Sequence, residues 1–265
     1  MAEMKLQKFF AWIAVVIGAV YFIVPLIGTL EFSLRMRRDA YSFDAYASVF
    51  SDSQFLYAFG YSMLMALLTI IFGMLIVVPT AYWVRLRLPQ IRPIVEFITL
   101  MPLVIPAIVI VFGYLRLYNS SSILPLTGFE QTTNFLLVCS YIVLSLPYMY
   151  RSVDTAMRTI DVGTLTEAAE SLGAKWTTIM FRCIFPNVMS GVLSGAFITL
   201  AIVMGEFTMA SLLNRPAFGP YMQLVGANQA YQSSALAIIA LAVTWLSMGL
   251  LQLASRFSKL APIKA

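Results

Sequence analysis

Glu167-Ala-Ala-Glu-Ser-Leu-Gly173-Ala-Lys-Trp-Thr-Thr-Ile-Met-Phe-Arg-Cys-Ile-Phe-Pro186 is the most informative stretch of this chain. It lies in a polar segment, about residues 151–190, between two strongly apolar runs. A chain that is otherwise largely lipid-soluble there offers a short, well-punctuated helical hairpin to water. Thr164-Leu-Thr-Glu167 reads as a capping box, with the Thr164 hydroxyl as cap and Glu167 reaching back to its amide. Leu165, Ala168, Ala169 and Leu172 recur at helical spacing and form one apolar face. Gly173 suits the left-handed residue that ends a helix. A second helix, about Lys175 to Ile184, should run until Pro186 stops it. Helices this short are marginal alone in water. The small side chains of Ala168 and Ala169 would admit a close neighbour, either this chain's own bundle or another protein.

Working outward, 60% of the 265 residues are hydrophobic and 11% are charged, with a mean hydropathy of +0.86. Soluble domains carry roughly 25% charged residues, so composition alone places the chain in a membrane. About 20 apolar residues make a transmembrane helix. Six runs qualify: about 9–30, 56–84, 94–115, 134–150, 191–213 and 235–254. Helices satisfy their own backbone in lipid, and the short alternating segments of a membrane barrel are missing from these runs. The expected fold is an all-α membrane protein of six transmembrane helices, one domain over residues 1–265.

Orientation follows from lysine and arginine, which favour the cytoplasmic side. With both termini inside, the inner face holds Lys5, Lys8, Arg85, Arg87, Arg92, Arg151, Arg158, Lys175, Arg182, Arg256, Lys259 and Lys264. The outer face holds Arg35, Arg37, Arg38, Arg116 and Arg215. The imbalance accounts for the net charge of +5 without invoking nucleic acid. The cluster Arg35–Arg38 runs against the rule and is outvoted by the other loops. The first apolar run exceeds a signal-peptide core and lacks a small-residue cleavage site, so an uncleaved anchor is expected.

Pro79 and Pro147 should end the second and fourth spans, and Pro102 and Pro106 should flex the third. Tyr41, Phe43, Tyr46, Tyr57, Tyr114, Tyr118, Tyr221 and Tyr231 enrich the outer side in rings, as in an interfacial belt. Pro216, Gly219 and Pro220 precede a short amphipathic piece, about Tyr221 to Ala230. Cys139 and Cys183 belong at different depths and read as packing residues rather than a disulfide. The chain has no histidine, which removes the commonest metal ligand and general base. Every lysine lies outside the spans and no pair of aspartates sits within one, so an intramembrane enzyme is disfavoured.

The set Ala156, Ile160, Asp161, Glu167-Ala-Ala, Leu172-Gly-Ala, Phe181 and Phe185-Pro186 resembles the signature loop of ABC-importer permeases. Cys183 and Phe185 replace the usual Ile and Leu before the proline, and both changes stay apolar. The resemblance implies the type I importer fold, with Glu167, Ala168, Ala169, Gly173, Ala174 and Pro186 as the ATPase-coupling residues. It implies a second permease subunit, two cytoplasmic ATP-binding subunits, a substrate-binding protein outside the cell, and a bacterial inner-membrane location. ATP and magnesium would bind the partner ATPases, and this chain would hold no cofactor. Consistently, Gly173-Ala-Lys175 lacks the first glycine and the hydroxyl residue of a phosphate loop.

Met204-Gly-Glu206-Phe-Thr-Met-Ala-Ser-Leu is similar to the second permease of spermidine/putrescine-type systems. Such a resemblance implies a polyamine-type or other small organic ion as solute. Iron(III), thiamine, sulfate and phosphonate systems carry comparable stretches. Within the fifth span a carboxylate costs roughly 2.5–3.5 kcal/mol, so Glu206 should face the bundle interior, water or a partner. Glu206, Thr208 and Tyr114 are therefore candidates for the substrate pathway or gate. The other reading has Glu206 pairing with Thr208 or Asn214 as scaffold. A proton-coupled secondary transporter using Glu206 is the alternative of another class, and it leaves the hairpin without a purpose.

Overall fold

The computed structural model describes the backbone of residues 2–37 and 40–260 and, within it, the side chains outside 2–7, 250–252 and 254–260. The fold is helical throughout the described residues, apart from one isolated bridge between Arg37 and Ala40. Thirteen α-helices follow in order: α1 (Ala2–Ser33), α2 (Asp44–Ser51), α3 (Ser53–Leu86), α4 (Arg92–Val104), α5 (Ala107–Leu117), α6 (Glu130–Met157), α7 (Val162–Ser171), α8 (Trp176–Thr178), α9 (Phe185–Asn187), α10 (Met189–Gly205), α11 (Thr208–Leu212), α12 (Phe218–Asn228) and α13 (Ala230–Leu260). A six-residue π-helical stretch, Ile179–Ile184, joins α8 to α9.

Four helical segments are long and apolar enough to cross a membrane: Lys8–Ser33, Ser53–Leu86, Glu130–Met157 and Ala230–Gly249. Counting each of two bent pairs as one span brings the number to as many as six. Pro89–Val104 and Ala107–Leu117 meet at 95°, and Trp176–Asn187 and Met189–Gly205 meet at 75°. The third expected span is therefore broken rather than continuous, and the second bend falls at Val188, just ahead of the expected fifth span.

The prolines divide differently from expectation. Pro79 and Pro147 do not end their spans; both sit inside helices that run on to Leu86 and Met157. The break falls at Pro106 instead. Its ring disfavours the helical region for the residue before it, and Ile105 is extended, with φ −87° and ψ 117°. Pro186 does not stop its helix either. It occupies the first turn of α9, where a missing amide costs nothing, and the preceding π stretch absorbs the local strain. The turn comes at Val188, with φ −100° and ψ 10°. The fifth span ends at Gly205, because Glu206 is extended.

The described chain forms two compact units, Met1–Leu56 with Met222–Ala242, and Tyr57–Tyr221 with Val243–Ala265. In the first, the α1 window from Lys8 is wholly unburied. The Ser33 and Tyr46 hydroxyls bond at 2.7 Å, and Phe32 stacks on Tyr231 with centroids 4.7 Å apart. Arg35 pairs with Glu31 and Arg37 with Asp44. Arg38 and Lys264 lie outside the described residues, as do the side chains of Lys5, Arg256 and Lys259.

In the second unit, α6 packs along α10, and α4 packs on α6. Close approach depends on two glycines. A methyl at Gly191 would lie 2.5 Å from Ala156 Cβ and 2.5 Å from the Ser152 carbonyl oxygen. A methyl at Gly195 would lie 3.3 Å from Met149 Cα. The Gly191 distances exclude a Cβ without moving a helix, and a Cβ at Gly195 would press on the α6 backbone by a few tenths of an ångström. In an open helix Gly→Ala gains about 1 kcal/mol; overpacking costs about 1–3 kcal/mol. Gly191→Ala is expected to destabilise the purified protein, measured as a lower unfolding temperature in detergent. An unchanged or higher temperature would contradict the crossing described.

Candidate functional site

The hairpin begins one turn earlier than the capping box suggested. Asp161, not Thr164, caps α7: its Oδ1 accepts from the Thr164 amide at 3.1 Å and its Oδ2 from the Thr164 hydroxyl at 2.7 Å. Both residues favour caps, but only Asp161 precedes the first helical turn. The Thr164 hydroxyl, and then the Thr164 amide, hold the Asp161 carboxyl below the usual carboxylate range. The other end matches expectation. Gly173 has φ +75°, and its amide bonds to the Glu170 carbonyl at 2.9 Å. The Ala174 amide reaches the Ala169 carbonyl at 3.0 Å, which completes a Schellman turn.

The buried face of α7 is Val162, Thr166 and Ala169, with Leu165 half-buried. The expected row is thus rotated: Ala169 is packed, while Ala168 is exposed and Leu172 is 88% exposed. Glu167 and Gly173 are exposed, Ala174 half-buried and Pro186 exposed. The buried side joins a core that includes Val77, Ala81, Tyr82, Met149, Val153, Met157, Ile184 and Val192. One face of the hairpin therefore belongs to the membrane bundle, and the opposite face carries Glu167, Ala168 and Leu172 into solvent.

Sequence reading missed what grips the hairpin. The C-terminal end of α3 reaches it three times. Tyr82 and Thr166 share a hydroxyl hydrogen bond of 3.2 Å, Trp83 stacks on Trp176 at 6.4 Å, and Arg87 meets Glu170 at 3.3 Å. The exposed ion pair adds little, typically under about 1 kcal/mol. The buried tyrosine and the stacked indoles are the stronger links. The aromatic pair Tyr82-Trp83 at the end of a span was the available signal.

Glu206 is not a free carboxylate on the wall of a straight span. It is 9% exposed and lies in the break between α10 and α11. Its two oxygens accept from the amides of Met209, at 2.7 Å, and Ala210, at 3.2 Å. Those amides have no partner inside so short a helix. The start of α12 closes over the break: a methyl on Gly219 would lie 2.3 Å from the Glu206 carbonyl oxygen. The buried Tyr141 hydroxyl lies in the field of Glu206 and closes no hydrogen bond among the described residues. Thr208 opens α11 and is half-buried. Tyr114 lies on α5, which packs on α11, and its ring tilts against Tyr118 at 6.0 Å. The backbone break, not Thr208 or Asn214, uses the Glu206 charge. Asn214 instead adopts φ +53° at the turn that follows.

No group of three or more histidine, cysteine, aspartate or glutamate residues able to hold a metal occurs among the described residues.

Comparison with known proteins agrees with this architecture. Residues 70–257 match the family described as binding-protein-dependent transport system inner membrane component. The chain belongs to that family. It is 27% identical over 175 residues to the spermidine/putrescine transport system permease protein PotB of Haemophilus influenzae, covering 62% of this chain and 59% of that protein. It is 32% identical over 93 residues to the methionine import system permease protein MetP of Bacillus subtilis, covering 35% of this chain and 40% of that protein. The chain thus spans about half the length of these curated relatives. In fold it is similar to a chain of a bacterial ABC transporter that imports the acidic polysaccharide alginate, with a TM-score of 0.74, 15% identity and 96% of each chain covered.

Removing a capping side chain costs about 0.5–2 kcal/mol. Glu206→Ala should therefore lower the unfolding temperature in detergent, while Glu206→Gln, which keeps a carbonyl acceptor, should recover much of the loss. Equal behaviour of the two variants would remove the capping role. The Asp161 carboxyl titrates below its unfolded value, near 3.8, so its contribution is complete above that pH and is lost as pH falls through the folded value. Hydrogen exchange at the Thr164 amide should show constant protection at neutral pH and lose it in Asp161→Ala.

Proposed function

We propose that this chain is the permease subunit of an ATP-driven importer and forms half of a transmembrane pathway for a small solute delivered by a binding protein. One observation carries the reading: the hairpin has two committed faces. A face sunk in the α3, α6 and α10 core cannot move without moving the bundle. The face bearing Glu167, Ala168 and Leu172 has no cover among the described residues. Such an element transmits displacement between the bundle and whatever docks on it. In this reading the dock is a cytoplasmic ATPase, and Glu167, Ala168, Ala169, Gly173, Ala174 and Pro186 form the joint. Ala169 acts from the packed side, and Pro186 by setting the exit from the π stretch. A second permease chain completes the pathway, both termini face the cytoplasm, and ATP with magnesium resides in the ATPases.

For the solute, similarity to PotB supports a polyamine-type or other small organic ion. Iron(III), thiamine, sulfate or phosphonate remain the alternative cargoes. MetP and the alginate transporter are named for cargoes of other charge and size, so the pathway walls, not the family, decide. Glu206 lends the polyamine reading no free carboxylate, because both its oxygens are engaged. The proton-coupled alternative leaves the two-faced hairpin without a purpose.

The test uses the chain expressed with the genes beside it. Wild type should co-purify with an ATPase and support ATP-dependent uptake. Glu167→Lys should insert at normal levels yet lose the ATPase and at least about 90% of uptake, a change near 1.4 kcal/mol in the coupling step. Normal uptake by that variant would overturn the coupling assignment.

A further inference from the structure

A cavity of about 400 Å³ opens between α4 and α6, lined by Glu96, Thr99, Tyr150, Arg151, Asp154 and Arg158 among others. Asp154 is the hub of its charges. Its side chain is 13% exposed, and it lies 2.8 Å from Arg158, 3.5 Å from Arg92 and 3.9 Å from Arg85. Arg92 also pairs with Glu96 at 2.8 Å. With Arg151, itself exposed, four guanidiniums stand around two carboxylates, an excess of two positive charges, and only Asp154 among these groups is buried.

Two groups in the cavity have no partner. Arg151 makes no ion pair or hydrogen bond among the described residues. The Tyr150 hydroxyl is buried, with the residue 5% exposed, and it too lacks a partner. A buried hydroxyl without a partner forgoes a hydrogen bond that folding normally supplies. Both vacant groups are donors. They call for a ligand with negative charge and several acceptor oxygens, and the surplus charge calls for the same ligand. Arginine suits phosphate because its fork donates two parallel bonds.

We propose that this cavity binds a phosphate-bearing anion, held by Arg151 and the free donors of Arg158, with the Tyr150 hydroxyl donating to one of its oxygens. Asp154 positions Arg158 and offsets Arg92 and Arg85, leaving Arg151 as the uncompensated charge. Leu100 and Pro147 also line the cavity. Beside it α4 presents exposed Ile94, Phe97 and Met101. An anionic phospholipid would lay its chain on that face, while a soluble phosphate would use the polar end alone.

The full chain, purified in detergent, is given phosphatidylglycerol in one arm and radiolabelled orthophosphate in the other. Retained lipid is counted by native mass spectrometry and phosphate by equilibrium dialysis. The wild type should hold at least one of the two saturably; retention of phosphatidylglycerol identifies a lipid headgroup, and retention of orthophosphate a soluble anion. Arg151→Gln should weaken the bound anion about tenfold, and Tyr150→Phe about threefold or more, as expected for charge-assisted bonds. Tyr150→Phe removes only an unpartnered hydroxyl, so its unfolding temperature without anion should be unchanged or raised. If neither anion is retained, or if both variants retain it as well as wild type, the site does not exist.

Discussion

Backbone amides and carbonyls in hydrocarbon have no water to turn to, and every irregularity in this bundle is shaped by that constraint. The chain breaks at Ile105-Pro106, at Val188 and at Glu206. At the first, proline itself removes a donor that would otherwise be orphaned. At the second, the Gly191 and Val192 amides both return to the Val188 carbonyl, at 2.9 and 3.0 Å. At the third no backbone carbonyl is in place, and a carboxylate supplies the acceptors. A charged side chain deep in a membrane protein is ordinarily read as machinery for cargo or protons. Here its first duty is to the backbone, and Gly219 fits against it closely enough to show that the break is part of the packing.

The same reasoning joins the hairpin to the bundle. A ten-residue helix such as α7 has little stability of its own. It is held because Val162, Thr166 and Ala169 enter the core and because Tyr82 and Trp83 reach it from α3. Asp161 and the Schellman turn at Gly173 then fix both ends. The result is a rigid elbow rather than a connecting loop. Rigidity is what a coupling element needs, since a compliant one would dissipate any displacement before it reached α6 and α10.

Much of this was legible in the sequence, for reasons that are local. Gly173 announced its left-handed turn because few other residues tolerate one. Apolar runs announced the long membrane-crossing helices, four of which are continuous, because length and hydropathy are additive along the chain. What the sequence hid depended on distant neighbours. Pro79, Pro106 and Pro147 are alike as residues, yet only Pro106 breaks its helix. Asp161 and Thr164 are both capping types three positions apart, and only Asp161 takes the place. The α7 face was misjudged because Thr166, polar by type, is buried against Tyr82, eighty-four positions away. Asp154 attracted no notice in a basic segment, although three arginines converge on it.

The exposed tip of the hairpin also bears on biogenesis. Leu172, Trp176 and Phe181 stand 88%, 41% and 56% exposed at the wet end of a protein otherwise suited to oil. An orphan subunit with an unoccupied joint displays sticky side chains to the aqueous compartment, where chaperones and proteases seek such marks. Docking of the proposed partner would hide them, and the same surface would then double as a badge of incompleteness by which a cell inspects the stoichiometry of subunits.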